Sequence, residues 1–204
     1  MLRRNYASAL LEEAVDQLAT LPGVGRRTAL RLALHLLAQP RENVERFAGA
    51  FVHLRTDIHH CPHCGMISDD GTCPFCSDPR RDHGVVCVVE SLRDVLSIEQ
   101  TDQYNGLYHV LGGIISPIDG VGPGDLPIRE LCDRLEKGDV REVVLALSTS
   151  MEGETTAYYL YKQIARYGVK VTAIARGVGF GDDLEYTDEL TLGRSITNRQ
   201  PFNP

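Results

Sequence analysis

Four cysteines stand in two closely spaced pairs, and no other feature restricts the local fold of the chain as much. The pairs read Cys61-Pro-His-Cys64 and Cys73-Pro-Phe-Cys76, with eight residues between them. Tetrahedral Zn²⁺ in structural sites takes four such sulfur ligands at about 2.3 Å. With all four positions filled by sulfur, none remains for water or substrate. We therefore expect one zinc ion that folds this segment and takes no part in catalysis.

Disulfides and a redox-active pair are the alternatives to zinc. The first residues, Met1-Leu-Arg-Arg-Asn-Tyr6, lack the apolar run of a signal peptide, and intracellular chains rarely keep disulfides. A redox site needs only one pair.

Because no apolar run approaches the roughly 20 residues that cross a bilayer, we expect a cytoplasmic protein without a membrane contact. Cys87 and Cys132 lie in apolar segments and are predicted to be packing residues.

The apolar pattern changes from helical spacing to an alternation of strands and helices after the cysteines. The first 60 residues contain three stretches at helical spacing, the third of which includes Phe47 and Phe51. Residues 85–89 form a continuous apolar run, as expected of a strand buried on both faces. Further strands are predicted at 107–111, 143–147 and 169–175, with helices at 92–100 and 154–166. The order predicts an α/β, multi-module fold with a parallel sheet.

The charge is distributed unevenly along the chain. The formal net charge of -7 argues against nucleic acid as a partner, but residues 1–60 hold eight Lys and Arg against six acids. The remainder holds 13 against 22. A basic N-terminal part and an acidic remainder predict two different classes of partner.

A glycine-containing turn, Leu21-Pro-Gly-Val-Gly25, separates the first two predicted helices and resembles the helix-hairpin-helix DNA-binding motif. Gly23 and Gly25 would let a phosphate approach the backbone, beside the free N–H groups at the start of the next helix. Arg27 and Arg31 lie four residues apart on one face of that helix, and Arg26 is adjacent. The alternative is an ordinary turn followed by arginines on a solvated face.

Glu90 ends the apolar strand Cys87-Val-Val-Glu90, which places a carboxylate at the edge of the sheet where α/β folds bind ligands. The segment resembles the Toprim domain of topoisomerases and primases. In those enzymes a strand-end glutamate and a later Asp-x-Asp hold Mg²⁺ for phosphoryl transfer. Ser148 and Ser150 stand at the two aspartate positions. We therefore expect poor Mg²⁺ binding and no strand cleavage.

Two acids, Glu152 and Glu154, follow these serines. One interpretation is that they stabilise a helix N-terminus, where the helix dipole favours negative charge. The other is that they form an acidic contact surface for a basic partner. The sequence leaves both interpretations open.

The order of hairpin, four-cysteine loop, Toprim-like domain and tail covers nearly the whole chain and is similar to that of the RecR family of bacterial recombination mediators. The resemblance extends to short motifs, Asp78-Pro-Arg-Arg81, Ser116-Pro-Ile-Asp-Gly-Val-Gly-Pro123 and Leu184-Glu-Tyr-Thr-Asp188. That family also has uncharged residues in place of the Toprim aspartates. The resemblance implies a helix-hairpin-helix module at 1–56 and a zinc finger at 57–80. A Toprim domain would follow at 81–178, and a tail for domain or subunit packing at 179–204.

The resemblance implies a non-enzymatic protein of recombinational DNA repair. Members act with RecO and RecF to load RecA on gapped or single-stranded DNA, and they form dimers or ring tetramers that can encircle a duplex. The functional positions implied here are zinc ligands at Cys61, Cys64, Cys73 and Cys76, sequence-independent DNA contacts at Gly23, Gly25, Arg27 and Arg31, and a RecO-facing surface at Glu90, Glu152 and Glu154.

Two other functions fit parts of the sequence. A Mg²⁺-dependent Toprim enzyme, such as a nuclease or a primase-like protein, would use Glu90 but would lack the second set of carboxylates. A zinc-stapled interaction module indifferent to DNA would leave Arg27 and Arg31 as solvated charges. The missing aspartates favour the mediator over the enzyme.

Overall fold

The computed structural model describes Tyr6, residues 8–179, residues 181–199 and Pro201. The ends of the predicted first and last domains, together with Ala7, Phe180 and Gln200, lie outside the described residues. The chain divides between Ile58 and His59 into two compact units. Each unit is described by itself.

The smaller unit consists of three helices, α1 (Ala9–Ala19), α2 (Arg26–Leu37) and α3 (Arg41–Asp57). The side chain of Ser8 caps α1 by accepting a hydrogen bond from the Leu11 N–H at 3.4 Å. The apolar stripes of α1 and α2 pack together around Val15, Ala29 and Ala33, which are buried. The helical prediction for this part of the chain is confirmed.

The apolar stripe of α3 is not covered within the described part of its unit. None of the 17 residues of α3 is buried, and the rings of Phe47 and Phe51 contact each other edge to face at a centroid distance of 5.0 Å. Phe51 remains 58% exposed. A helix with this much exposed apolar surface presents an interaction face.

The larger unit is built on a four-stranded parallel sheet with the strand order β4-β3-β5-β6. Its strands are β3 (Asp82–Val89), β4 (Gly106–Val110), β5 (Glu142–Ala146) and β6 (Lys170–Ala173). Before the sheet lie the short hairpin strands β1 (His59–His60) and β2 (Ile67–Ser68) and the single-turn helix α4 (Pro74–Ser77). The predicted parallel sheet is confirmed, with strand boundaries that differ from the predicted ones by at most three residues.

Side chains that alternate along β3 enter two different cores. Val86 and Val88 face α6 (Ile128–Glu136) and α7 (Met151–Ile164). Cys87 and Val89 face α5 (Leu92–Glu99) together with the four-cysteine loop. The continuous apolar run of this strand follows from burial on both faces.

The stretch between β4 and β5 contains structure that the sequence pattern did not predict. The Gly- and Pro-rich loop is ordered by a small hairpin in which Ser116 and Val121 exchange backbone hydrogen bonds of 3.0 and 2.9 Å. Helix α6 begins directly after this loop, and its buried residues include Leu131 and Leu135. It completes one face of the sheet.

The C-terminal segment contains a further helix, α8 (Glu189–Thr197). The Asp188 carboxylate caps this helix by accepting from the Thr191 N–H at 2.9 Å. Within the described ranges, no helix combines the length and the apolar character needed to cross a membrane.

His109 in β4 is buried with its imidazole neutral. Its Nε2 donates to the Pro127 carbonyl at 2.8 Å, whereas Nδ1 has no hydrogen-bond partner among the described atoms. Burial lowers the pKa of His109 from 6.5 to about 4.

We therefore predict that stability falls with acid pH. Below pH ~6.5 the unfolded chain binds a proton that the native imidazole does not bind until pH ~4. The free energy of unfolding therefore falls by about 2 kcal/mol between pH 7.5 and pH 5. Urea denaturation at both pH values measures it. The His109→Gln variant serves as the control, since it keeps every other titrating group. An equal pH dependence in the parent and the variant would contradict the assignment.

Candidate functional site

The four cysteines lie on two short turns whose backbones present the sulfurs to a common point. In the first turn, the Cys61 N–H donates to the Met66 carbonyl at 2.6 Å, and the Gly65 N–H donates to the Cys61 carbonyl at 2.9 Å. In the second turn, Cys73 caps α4, and its Sγ accepts from the Cys76 N–H at 3.4 Å. Such N–H···S contacts stabilise thiolate character at the sulfur.

The sulfur geometry fits a tetrahedral zinc ion. All four Sγ atoms lie within 4.8 Å of one another, and Cys64 Sγ and Cys73 Sγ are 3.4 Å apart. A tetrahedron with zinc–sulfur bonds of about 2.3 Å has sulfur–sulfur edges of about 3.8 Å. Three of the cysteines are buried, and Cys76 is partly exposed. The donor set would hold one zinc ion in a closed, structural site.

The sulfurs influence each other's protonation. The contact with Cys73 raises the pKa of the Cys64 thiol, and the same contact lowers the pKa of Cys73. Zinc requires all four thiolates, so its binding releases protons and weakens in acid.

The cysteine loop is continuous with the sheet. The Val110 N–H at the end of β4 donates to the Cys64 carbonyl at 2.7 Å. Gly65 has a φ of +74°, and a Cβ there would lie 2.8 Å from the Val110 oxygen, so both the backbone conformation and the close approach require glycine. Cys64 and Met66 belong to the same apolar core as Val89 of β3.

Arg81 forms a second connection, which the sequence had indicated only as part of a family motif. Its guanidinium lies 4.5 Å from the Phe75 ring centroid, donates to the Gly106 carbonyl at 2.8 Å and forms an ion pair with Glu99. Glu99 also accepts from the Tyr108 hydroxyl at 2.6 Å. No local sequence pattern signals this network, because its members come together only through the fold.

The glycine hairpin of the smaller unit leaves backbone accessible at the start of α2. Gly23 has a φ of +79°, which a residue with a side chain adopts only with strain. Gly25, at the N-cap of α2, has an ordinary φ of -77° and no side-chain cap. A Cβ at Gly25 would meet no atom within 4 Å. Contacts within the protein therefore do not require glycine at this position.

Three arginines differ in their surroundings. Arg26 forms an ion pair with Asp16 of α1 at 2.9 Å, so its charge helps to join the two helices. Arg27 and Arg31 are exposed, and neither has a carboxylate partner among the described residues. Two unneutralised cations thus stand on α2 beside its uncapped N-terminus.

At the carboxyl edge of the sheet, Glu90, Ser148 and Ser150 lie together and are joined by hydrogen bonds. The Ser148 N–H donates to Glu90 Oε1 at 2.5 Å. The hydroxyls of Ser148 and Ser150 are 3.0 Å apart, and Ser150 caps α7 by accepting from the Gly153 N–H at 3.0 Å. Backbone and hydroxyl groups occupy the places where a Toprim enzyme would direct carboxylates at a metal ion.

The two acids at the start of α7 are in different situations. Glu154 pairs with Arg176 and lies 3.6 Å from Arg194 of α8, so its charge holds the C-terminal segment against α7. Glu152 has no ion-pair partner among the described residues. Of the two, Glu152 is the acid available to an external partner. No sequence pattern indicates the arginine contacts, because nothing local connects Glu154 to residues 22 and 40 positions away.

We predict that Cys64→Ser reduces the zinc content from one ion per chain to well below one, since a hydroxyl is a poor replacement for the buried thiolate. Thermal unfolding should shift to lower temperature, because the loop shares its core with the sheet. Metal analysis and a chromogenic chelator measure the loss. Cys132→Ser, which alters a buried cysteine away from the loop, should keep one zinc. Full zinc content in Cys64→Ser would contradict the site.

Four family models match the chain in order. They are the RecR helix-hairpin-helix at residues 11–54, the four-cysteine zinc finger domain of RecR at 58–78, the Toprim domain at 84–175 and the RecR C-terminal region at 177–200. The zinc-finger match and the sulfur geometry agree on one structural zinc.

Curated relatives match over almost the full length. The recombination protein RecR of Porphyromonas gingivalis strain W83 is 58% identical over 98% of this chain and 97% of its own. The RecR of Parabacteroides distasonis is 55% identical over 99% and 97%, and that of Flavobacterium johnsoniae is 52% identical over 97% and 96%. With these matches, and with hairpin, zinc loop and degenerate Toprim edge in the same order, the chain belongs to the RecR family of recombination proteins.

Proposed function

We propose that this protein is a non-enzymatic, DNA-binding mediator of recombinational repair in the cytoplasm. Its family is one of recombination proteins, which supports a role in recombination. The proposed DNA-binding function rests on Arg27 and Arg31. Both side chains are exposed and have no carboxylate partner among the described residues, and both belong to α2, whose N-cap residue Gly25 provides no side-chain cap. Together they offer a phosphate two charges and free N–H groups, and they offer no group that reads bases.

The absence of catalysis is supported by the chemistry at the sheet edge. Mg²⁺ prefers several carboxylate oxygens, and this edge offers Glu90 with two serine hydroxyls. The Glu90 carboxylate is already bonded to the Ser148 N–H, and a metal ion would have to displace that contact. The edge has the form of a phosphoryl-transfer site without its ligand set.

For partners, we propose RecO and RecF, with loading of RecA on gapped or single-stranded DNA as the outcome. The family resemblance suggests these proteins. Glu152 supports a contact with a basic surface, because its side chain is partly exposed and its charge is not paired within the described residues. Glu90 and Glu154 are proposed as members of the same surface, with Glu154 acting mainly through its arginine contacts.

Self-association, as a dimer or a ring tetramer, is part of the proposal. One hairpin supplies few phosphate contacts, so its affinity is weak and several linked copies bind far better. The uncovered stripe of α3, with Phe47 and Phe51, provides apolar surface of the kind that association buries. A second copy would cover it.

We predict that Arg27→Ala combined with Arg31→Ala weakens duplex binding equally for all sequences and lowers the slope of log affinity against log salt by about two, since each phosphate contact contributes about 0.9. Fluorescence anisotropy across a salt series measures both quantities. Arg46→Ala with Arg55→Ala on α3 removes the same charge and should change the slope little. Unchanged affinity and slope in the hairpin variant would remove the hairpin from the DNA site.

We also predict that supercoiled plasmid remains intact when incubated with the protein and Mg²⁺, because the edge of the sheet lacks the carboxylates for a metal site. Gel electrophoresis over a range of protein concentrations tests this. Glu90→Gln is the matched variant. Metal-dependent nicking by the parent that disappears in Glu90→Gln would establish a Toprim enzyme and overturn the mediator proposal.

A further inference from the structure

The outward side of α7 carries aromatic and basic side chains that the proposed function does not use. Tyr158 and Tyr161 are 61% and 50% exposed, whereas Leu160 and Ile164 on the inward side are fully buried. Lys162 lies one turn after Tyr158, and Arg166 follows in the short 3-10 turn Ala165–Tyr167 just after α7; both are exposed. We refer to Tyr158, Tyr161, Lys162, Arg166 and Tyr167 as the tyrosine–cation face.

Each cation of this face lies over a tyrosine ring. The Lys162 ammonium is 4.6 Å from the Tyr158 ring centroid. The Arg166 guanidinium is 4.9 Å from that of Tyr167 and donates to its hydroxyl at 2.7 Å. Within the described ranges, neither cation is paired with a carboxylate. Their positive charge is therefore available to an external anion.

The tyrosine rings beside them distinguish this pair of cations from others in the larger unit. Residues 61–204 hold 13 Lys and Arg against 22 acids, and several other cations there also have no carboxylate partner among the described residues, but Lys162 and Arg166 each lie over a ring. The acids of α7 itself, Glu152 and Glu154, lie in its first turn, at the other end of the helix. The carboxylate recorded at the margin of the face is Glu136, which accepts from the Tyr167 hydroxyl at 3.3 Å.

Aromatic rings interleaved with cations on one exposed surface are the elements of a stacking platform for single strands. Unpaired bases stack on the rings, and the cations contact the phosphates between them. In a duplex the bases are stacked on each other and cannot reach the rings. Charge complementarity favours a polyanion over an apolar peptide as the occupant. We propose that the tyrosine–cation face binds single-stranded DNA, as a second site separate in sequence from the glycine hairpin.

A second site of this kind gives the protein two modes of contact with DNA. The hairpin contacts phosphates alone, whereas the face depends on unpaired bases. Each contact is weak, and two contacts in one chain bind more tightly than either when the same DNA reaches both. Gapped DNA contains both duplex and single strand, so it is the substrate that such a pair of sites would favour.

The test uses the full chain with Arg27→Ala and Arg31→Ala, so that the hairpin contributes little. In this background, an oligothymidylate of about 12 nucleotides should still bind at low salt by fluorescence anisotropy. Adding Tyr158→Ala and Tyr161→Ala should weaken binding about tenfold or more, as expected for lost stacking. Adding Lys162→Ala and Arg166→Ala instead should lower the salt slope by about 1.4, from two single-strand phosphate contacts.

Matched variants separate stacking from other causes. Tyr158→Phe with Tyr161→Phe keeps the rings and should retain binding, whereas the corresponding leucine pair keeps apolar area but not stacking and should lose it. Arg93→Ala with Lys137→Ala removes equal charge elsewhere and should leave the slope unchanged. The chain has no tryptophan, so quenching of tyrosine emission by the oligonucleotide, reduced in the phenylalanine pair, reports stacking directly. Unchanged melting temperatures show that these exposed substitutions leave the fold intact.

The outcomes are distinct from those of the hairpin test. Two results would overturn the second site and leave the hairpin proposal standing. One is that the hairpin variant does not bind the oligonucleotide; the other is that adding Tyr158→Ala and Tyr161→Ala to it leaves the binding unchanged. A change in oligomeric state with unchanged DNA binding would identify the face as a protein contact and also overturn it. Loss of binding confined to the face variants would support the second site even if the hairpin failed its own test.

Discussion

The hydrogen bond from the Val110 N–H to the Cys64 carbonyl joins the cysteine loop to the sheet, and one side of the larger unit is organised around it. The bond fixes the first zinc-binding turn at the carboxyl end of β4. The cysteines then become part of the core that also contains Val89 and Tyr108. A loop of this length has too little apolar surface to fold alone. Zinc and the sheet therefore stabilise each other.

At the sheet edge, hydrogen bonds within the chain hold the residues that stand at the metal-ligand positions of a Toprim enzyme. In an enzyme of this architecture, the cation offsets the repulsion among carboxylates. Here the Ser148 N–H satisfies Glu90, and the serine hydroxyls satisfy each other. Glu154 is neutralised by arginines from the C-terminal segment. Internal hydrogen bonds and ion pairs thus order this edge.

Features encoded by local pattern could be predicted, and features made by distant residues could not. The spacing of Cys61 to Cys76 and the apolar run of β3 each specify their structure within a few residues. Helix α6 has apolar residues at helical spacing, but the Gly- and Pro-rich stretch 112–127 before it is typical of a long loop, so the sequence pattern does not predict the helix. The contact between Glu90 and Ser148 spans 58 positions, and only strand pairing brings it about. The arginines that contact Glu154 are likewise distant from it in the sequence, and only the fold brings them together.

The hydrogen bond on Glu90 has an evolutionary consequence. A single Ser148→Asp change would place a second carboxylate beside Glu90 in a partly buried site, where like charges repel and one would take up a proton. A metal ion could relieve that repulsion only after Glu90 had released the Ser148 N–H and a further carboxylate had replaced Ser150. Restoring a metal site at this edge would therefore need several linked changes, of which the release of Glu90 from a backbone N–H is one.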